Sequence, residues 1–404
     1  MQRSMLASAD CFLKWRSADA LHTDRQHFGK IDFWRDILPG DLGELLQDSG
    51  PGSRAEVDIR PGVAIPDADV GAVHSVPIKP VNSALNSRQM PGLKDGRFYP
   101  RGLLASCASL SDIFSQDLHP FRVSGIQGEF IKADLNHPLA GYPVKVGVRI
   151  DQLLGAREER GGHCNDIVSD IADMGPGMQC RPDSHDVSLI HPHAFDRMDS
   201  SDDAGFYQAP RLVHHVDLQA RAFISQIYSR FIAPEMQVLD LMSSWVSHLD
   251  GVPDSVEVTG LGMNQAELEA NPRLARSLLH DLNKQPSLPF DDASFDAIVC
   301  SVSVEYLVRP LEVFAEVGRV LKPGGRFIVT FSDRWFPPKV IQLWTELHPF
   351  ERMALVLEYF RHSGQFCDLA TESWRGWPRP VDDKYATRRL LADPVFAVWG
   401  ARCP

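Results

Sequence analysis

Met236-Gln-Val-Leu-Asp-Leu-Met-Ser-Ser-Trp245 opens the stretch of this chain that decides the fold, and Leu321-Lys-Pro-Gly-Gly-Arg-Phe-Ile-Val-Thr-Phe331 closes it. Between them, short apolar runs alternate with segments of helical spacing. That alternation predicts a parallel, doubly wound α/β sheet in which each strand is followed by a helix. Five strands are expected: 238–241, 256–259 ending at Gly260, one ending near His280 and Asp281, 295–301, and 327–331. Val304 to Leu321 is expected as a helix, because Leu311, Phe314, Ala315, Val317 and Leu321 recur at spacings of three and four. Pro310 suits its first turn, and Pro323-Gly324-Gly325 stops it. Ligands of such sheets bind at the carboxyl ends of the strands, so the residues just after each strand are the candidate site.

Three motifs in this stretch carry a resemblance. Val-Leu-Asp-Leu (238–241), Leu-Pro-Phe-Asp-Asp-Ala-Ser-Phe-Asp (288–296) and Arg-Val-Leu-Lys-Pro-Gly-Gly (319–325) resemble, in that order, the signature of class I methyltransferases. The resemblance covers the last half of the chain, residues 206–404. It implies a Rossmann-like fold, S-adenosylmethionine as cofactor, and methyl transfer to a small-molecule or peptide acceptor.

The departures from that family's pattern are chemical. After the first strand the family has a glycine-rich turn, whereas this chain has Met242-Ser243-Ser244-Trp245-Val246-Ser247. The Ser243 and Ser244 hydroxyls are expected to bond the polar end of the methionine moiety, with Trp245 beside it. The N–H groups opening the next helix are expected to face the carboxylate. At the end of the second strand the family places an acid on the ribose. Here Gly262 and Asn264 stand near that position, and Asn264 is expected to bond the ribose without charge. At the third site, Asp281, Leu282 and Asn283 match an adenine subsite, with Asp281 accepting from the exocyclic amine and Leu282 offering its N–H. Asp240 and Ser301 complete the candidate cofactor residues.

Upstream, Gly205 to Asp217 leads into a helix through Tyr228 and Phe231, closed by Pro234. In the family the helix before the first strand caps the cofactor and faces the acceptor. Arg211 can meet a carboxylate with two parallel hydrogen bonds. His215, or its neighbour His214, can act as a base near neutral pH. With Tyr306 these make the candidate catalytic set of Tyr306, Arg211 and His215. Downstream, Val340 to Arg361 reads as one apolar helix, a lid or an added layer of core. Phe396 to Ala401 reads as a last strand, antiparallel at the sheet edge.

The first half is different. Residues 54–59 alternate polar and apolar, and Val144, Val146, Val148 and Ile150 repeat with period two. Residues 121–124 and 128–131 flank a short turn and predict a hairpin. The expected domain, residues 28–155, is small and mostly antiparallel β. Asp134-Leu-Asn-His-Pro-Leu-Ala-Gly141 resembles FKBP-type prolyl isomerases of the SlyD-like branch, and Gly43 to Leu46 resembles a helix-free turn before that family's flap. Val146 and Ile65 stand where the family's pocket aromatics would be. Residues 1–27 are read as an extension and 156–205 as a linker with one helix, Cys164 to Met174. His163, Cys164, Cys180 and His185 match no standard zinc spacing, so no metal is expected.

The formal net charge is −12, which argues against a broadly nucleic-acid-binding surface and leaves room only for a local basic patch. No run of about 18 apolar residues predicts a membrane span. Met1 to Phe28 lacks the apolar core of a signal peptide. Seven cysteines fit reduced thiols in a cytoplasm better than a disulfide framework. The sequence leaves the oligomeric state open. It also leaves two alternatives to methyl transfer: an inactive methyltransferase-fold interaction protein, or a prolyl isomerase or chaperone.

Overall fold

The computed structural model describes residues 4–46, 49–87, 92–110, 112–157, 164–173 and 189–404. The chain divides into two compact units. One comprises residues 1–17, 23–189 and 346–351; the other comprises 18–22, 190–345 and 352–404.

The first unit is built on antiparallel sheet. Its elements are β1 (Ser4–Arg16), β2 (Leu21–Asp32), α1 (Leu42–Leu46), β3 (Arg54–Ile59), β4 (Val73–Pro77), α2 (Ile78–Ser87), β5 (Phe98–Pro100), β6 (Pro120–Gln127), β7 (Phe130–Asp134), β8 (Val144–Arg157) and α3 (Ile167–Ala172). One group of strands runs β2-β1-β8-β3. A four-stranded sheet in the order β4-β7-β6-β5 is inserted between β3 and β8. The hairpin read at 121–131 is β6–β7, with Val123 opposite Ala133 and Ile126 opposite Ile131. Val144, Val146, Val148 and Ile150 all face the core of this unit, as does Ile65.

Several boundaries differ from expectation. Residues 1–27, expected as an extension, hold β1 and part of β2. Their apolar alternation through Ala7, Ala9, Cys11 and Leu13 is buried. The stretch at Gly43 to Leu46, expected to be helix-free, belongs to α1, which buries Leu42 and Leu46. The helix expected from Cys164 to Met174 is shorter. Asp166 caps α3 by accepting from the Val168 and Ser169 N–H groups, and Ile167, Val168, Ile171 and Ala172 join the core of the first unit. Met174, His163, Cys180 and His185 lie outside the described residues.

The second unit contains α4 (Asp203–Tyr207), α5 (Leu218–Ser229), β9 (Gln237–Leu241), β10 (Glu257–Gly262), α6 (Gln265–Ala270), β11 (Arg276–Leu279), β12 (Phe295–Ser301), α7 (Pro310–Val320), β13 (Leu321–Phe331), α8 (Gln342–Glu346), α9 (Pro349–Ser363), β14 (Phe366–Arg375) and β15 (Val395–Arg402). Its strands run β11-β10-β9-β12-β13-β15-β14. The first five are parallel, and β15 is antiparallel to both β13 and β14. The central parallel strands β9 and β12 are buried on both faces, which is why they read as nearly continuous apolar runs, whereas β11 at the edge is mostly exposed. The strand order reverses between β9 and β12, and this switch point is where an open α/β sheet leaves a crevice.

The structure corrects the sequence reading at five places in this unit. β10 runs on to Gly262 rather than stopping at Gly260. No helix follows β9: residues 243–256 are irregular, with no helix N-terminus after the Ser243-Ser244 turn. The helix expected from Val304 begins only at Pro310, because residues 304–306 form a 3-10 turn first. The single helix expected from Val340 to Arg361 is two, α8 and α9. Finally, β15 is not an edge strand. It lies between β13 and β14, and β14 was missed because Phe366-Cys-Asp-Leu-Ala-Thr-Glu-Ser-Trp-Arg375 mixes charges into a buried strand.

Candidate functional site

All thirteen candidate residues line one cleft of the second unit, together with Asp203, Tyr207, Glu267 and Phe336. The cleft encloses about 1190 Å³ of empty space, the open solvent at its mouth included. It sits over the carboxyl ends of β9, β10, β11 and β12. Two non-glycine residues there are left-handed: Met242 after β9 (φ 58) and Val302 after β12 (φ 48). Left-handed backbone is costly for a β-branched valine, and such strain collects at functional sites.

The turn after β9 is internally bonded. Ser243 Oγ donates to Asp240 Oδ2 at 2.6 Å, and Ser244 Oγ donates to Glu267 Oε2 at 2.6 Å. Asp240 is buried within β9, and desolvation raises its pKa to about 7 against the opposing bonds of Ser243 and Ser247. The Ser243 N–H donates to Leu261 O at 2.8 Å and draws the turn onto β10. A Cβ on Gly262 would lie 2.2 Å from Ser243 O, so this close approach requires glycine. The N–H groups of Ser244, Trp245 and Val246 donate to no acceptor among the described residues. Trp245 stacks on His214 at 4.6 Å and donates to Val213 O at 3.3 Å.

After β10, Asn264 caps α6. Its Oδ1 accepts from Glu267 N, while Nδ2 donates to Tyr207 O at 2.8 Å and Gln208 O at 3.0 Å. Both amide protons are therefore spent on carbonyls rather than left for a ribose hydroxyl. The acid of this region is Glu267, whose Oε1 accepts from the Arg211 N–H at 2.6 Å. Its signal was in the sequence: Asn264-Gln-Ala-Glu267 has the spacing of a helix-capping pair.

After β11 the arrangement is more open. Asp281 Oδ1 accepts from the Asn283 and Lys284 N–H groups, but Oδ2 is buried with no hydrogen-bond partner among the described residues. The Leu282 N–H likewise has no acceptor among them. Asn283 ties the loops together. Its Nδ2 donates to Asp203 Oδ2 and to Tyr306 O, and its Oδ1 accepts from Val308 N. Asp203 is held in turn by Arg197 at 2.8 Å and by the fully buried Lys339 at 3.2 Å. This network fixes the loop after β11 against the loop after β12.

The opposite wall is aromatic. Tyr306 and Phe336 stack at 5.8 Å, and the Tyr306 hydroxyl accepts from Phe336 N at 2.8 Å. Burial pushes the Tyr306 phenol well above its usual pKa. His215 meets Phe336 edge-on at 5.1 Å. Burial is the largest cause lowering the His215 pKa, with Arg211, Lys384 and Arg334 adding to it against Glu267. Ser301 is bonded to the buried Tyr228 hydroxyl at 2.7 Å. Sequence reasoning missed Glu305. It is buried beside Tyr306, both its carboxylate oxygens lack partners among the described residues, and burial raises its pKa to about 8. Among the described residues no group of three or more His, Cys, Asp or Glu side chains is placed to hold a metal. No helix among them is long and apolar enough to cross a membrane.

The residues present fit a nucleoside cofactor. A buried carboxylate oxygen without a donor suits an exocyclic amine, a free adjacent N–H suits a ring nitrogen, and free turn N–H groups suit a carboxylate.

Comparison with known proteins points the same way. Residues 245–329 match the methyltransferase domain family. Over 209 residues the chain is 27% identical to a demethylmenaquinone methyltransferase of Beutenbergia cavernae, covering 50% of this chain and 81% of that protein. It is 50% identical over 92 residues to the Clavibacter sepedonicus demethylmenaquinone methyltransferase, but spans only 37% of it. It is 32% identical over 98 residues to a ubiquinone/menaquinone biosynthesis C-methyltransferase of Bartonella tribocorum, spanning 36% of that protein.

Proposed function

We propose that this chain, whose C-terminal domain is a methyltransferase domain using S-adenosylmethionine, transfers the methyl group to a small planar aromatic acceptor. The observation that carries the reading is the buried Asp281 Oδ2 lining the cleft beside the free Leu282 N–H: it accepts no hydrogen bond among the described residues, and Lys284 Nζ lies 3.9 Å from it. The aromatic wall of Tyr306 and Phe336, and the quinones in the names of the relatives, support the class of acceptor.

The sulfonium of the bound cofactor supplies a methyl group already activated for displacement. The protein's part is then alignment and exclusion of water. In this reading Asp281 and Leu282 hold the adenine, and the free N–H groups at Ser244 to Val246 receive the methionine carboxylate. Asp240 and Glu267, each tied to a turn serine, set the polarity of the cleft between these two ends. Asn264, Asn283 and Ser301 act one step back, by fixing the loops that carry the ligands. Arg211, His215 and Tyr306 face the acceptor.

We read the N-terminal unit as a binding module related to SlyD-like FKBP domains. The sheet inserted between β3 and β8 and the Asn136 to Gly141 segment leading into β8 support this. Val146 and Ile65 fill its core, where an isomerase would line a pocket with aromatics.

The direct test is incubation of the full chain with methyl-labelled S-adenosylmethionine and reduced menadione as a planar test acceptor. Labelled product formed in step with S-adenosylhomocysteine is the expected result. Cofactor binding without transfer to any aromatic acceptor would overturn the acceptor class, and absence of cofactor binding would overturn the reading as a whole.

A further inference from the structure

One cation, Arg211, lines the cleft, and two more, Arg334 and Lys384, act on it from outside its lining. The Arg211 guanidinium lies 4.4 Å from the Phe206 ring centroid and 5.3 Å from that of Phe336, and it donates to Phe206 O at 2.8 Å. It is thus held by two rings and a carbonyl rather than by a carboxylate. A guanidinium held over rings and by a carbonyl is restrained before any ligand arrives, so pairing costs it less entropy. Arg334 lies 5.0 Å over the Tyr385 ring and 3.8 Å from Asp393, a carboxylate already bonded to Arg379. Lys384 lies 5.1 Å over the other approach to Tyr385. All three act electrostatically on His215, which borders Phe336. Asp203, Asp240, Glu267 and Asp281 line the same cleft, and Arg211 is the one Arg or Lys among its described lining, so it marks the place where an anion can bind.

We propose that the acceptor binds as a planar anion, its ring against Phe336 and Tyr306 and its charge paired with Arg211, while Arg334 and Lys384 draw it into the mouth of the cleft. The inference rests on the reading of the cleft as a methyl-transfer site and adds the charge state of its second substrate. It also removes any need for Tyr306 to serve as a base. The Tyr306 hydroxyl is engaged by Phe336 N, and its phenol resists ionisation. An acceptor that arrives ionised needs no proton removed. Its lone pair forms the bond to the methyl carbon as the sulfur–carbon bond breaks, and that bonding pair stays on sulfur. The acceptor's negative charge and the sulfonium's positive charge cancel in the same step.

The test is calorimetry on the full chain, first saturated with S-adenosylhomocysteine, with 2-naphthoate as the anionic probe and 2-naphthamide as its neutral counterpart. Naphthoate should bind at least about tenfold more tightly than naphthamide, the scale of one charge-assisted contact. Arg211→Met should abolish that preference and Arg211→Lys should restore part of it. The double variant Arg334→Met/Lys384→Met should slow naphthoate association and weaken its salt dependence, and it keeps the test open should Arg211→Met fold poorly. Equal binding of the two probes, or of neither, would overturn the proposal. So would an Arg211→Met variant that binds S-adenosylhomocysteine more weakly but 5′-methylthioadenosine unchanged, because Arg211 would then serve the cofactor's own carboxylate. If the parent chain binds no S-adenosylhomocysteine, the failure lies with the methyl-transfer reading.

Discussion

Two turns flank the cleft, and they use their polar residues in opposite ways. At the end of β11, Asp281 keeps one carboxylate oxygen and Leu282 keeps its N–H without a hydrogen-bond partner among the described residues, with Lys284 Nζ 3.9 Å from that oxygen. At the end of β9, Ser243 and Ser244 have already committed their protons to Asp240 and Glu267. Both turns show suitable residue types in the sequence, but only the first leaves side-chain valence open. A buried polar group without a partner costs free energy unless something fills it, so the open valence marks a ligand better than the residue type does.

The largest effect expected from this comparison comes from Gly262. Because a Cβ there would collide with Ser243 O, Gly262→Ala should displace the β9 turn, cost about 3 kcal/mol of stability, and abolish binding of S-adenosylhomocysteine. A melting temperature and affinity equal to the parent's would show that the close approach is not needed.

Next comes Asp281. Asp281→Ala should weaken S-adenosylhomocysteine by about 1–3 kcal/mol, with a smaller loss in the thermal melt from the Asn283 and Lys284 N–H bonds to Oδ1. A variant that lost stability and kept affinity would move Asp281 from ligand to scaffold.

Glu305 sharpens the contrast from the stability side. Burial holds its folded pKa near 8, above the ordinary 4.5, so the folded state keeps a proton that the unfolded state loses. The penalty is absent below about pH 4.5, grows as pH rises, and is complete above about pH 8. Glu305→Gln should therefore raise the melting temperature at pH 9 and leave it unchanged at pH 4. A gain of the same size at both pH values would mean that ionisation is not its cause.

The smallest effect is expected at the bonded turn. Ser243→Ala with Ser244→Ala should weaken cofactor binding by about 1 kcal/mol, acting through the freed carboxylates of Asp240 and Glu267 rather than through lost ligand contacts. A loss as large as that of Asp281→Ala would make the two turns equivalent and erase the distinction drawn between them.

Much of this was legible in the sequence. The parallel strands announced themselves because strands buried on both faces must be apolar throughout, and the strand ends then named the cleft residues. What stayed hidden depended on partners distant in sequence. β14 is buried yet carries Asp368 and Glu372, so no periodicity betrays it. The missing helix after β9 could not be foreseen, since a crossover normally requires one. Asn264 looked like a ribose ligand until its amide proved to be bonded to the Tyr207 and Gln208 carbonyls. The strands at 4–32 are joined by Ser17-Ala-Asp-Ala20, a turn without Gly, Pro or Asn to set them apart from a tail.

The central claim is that this cleft binds a nucleoside cofactor through the open valences beside β11. Titration calorimetry of the full chain with S-adenosylhomocysteine, run beside Asp281→Ala, tests it most directly. The account predicts saturable binding at a single site in the parent and a clearly weaker isotherm in the variant. No heat in the parent up to about 1 mM ligand, or identical isotherms for the two proteins, would contradict it.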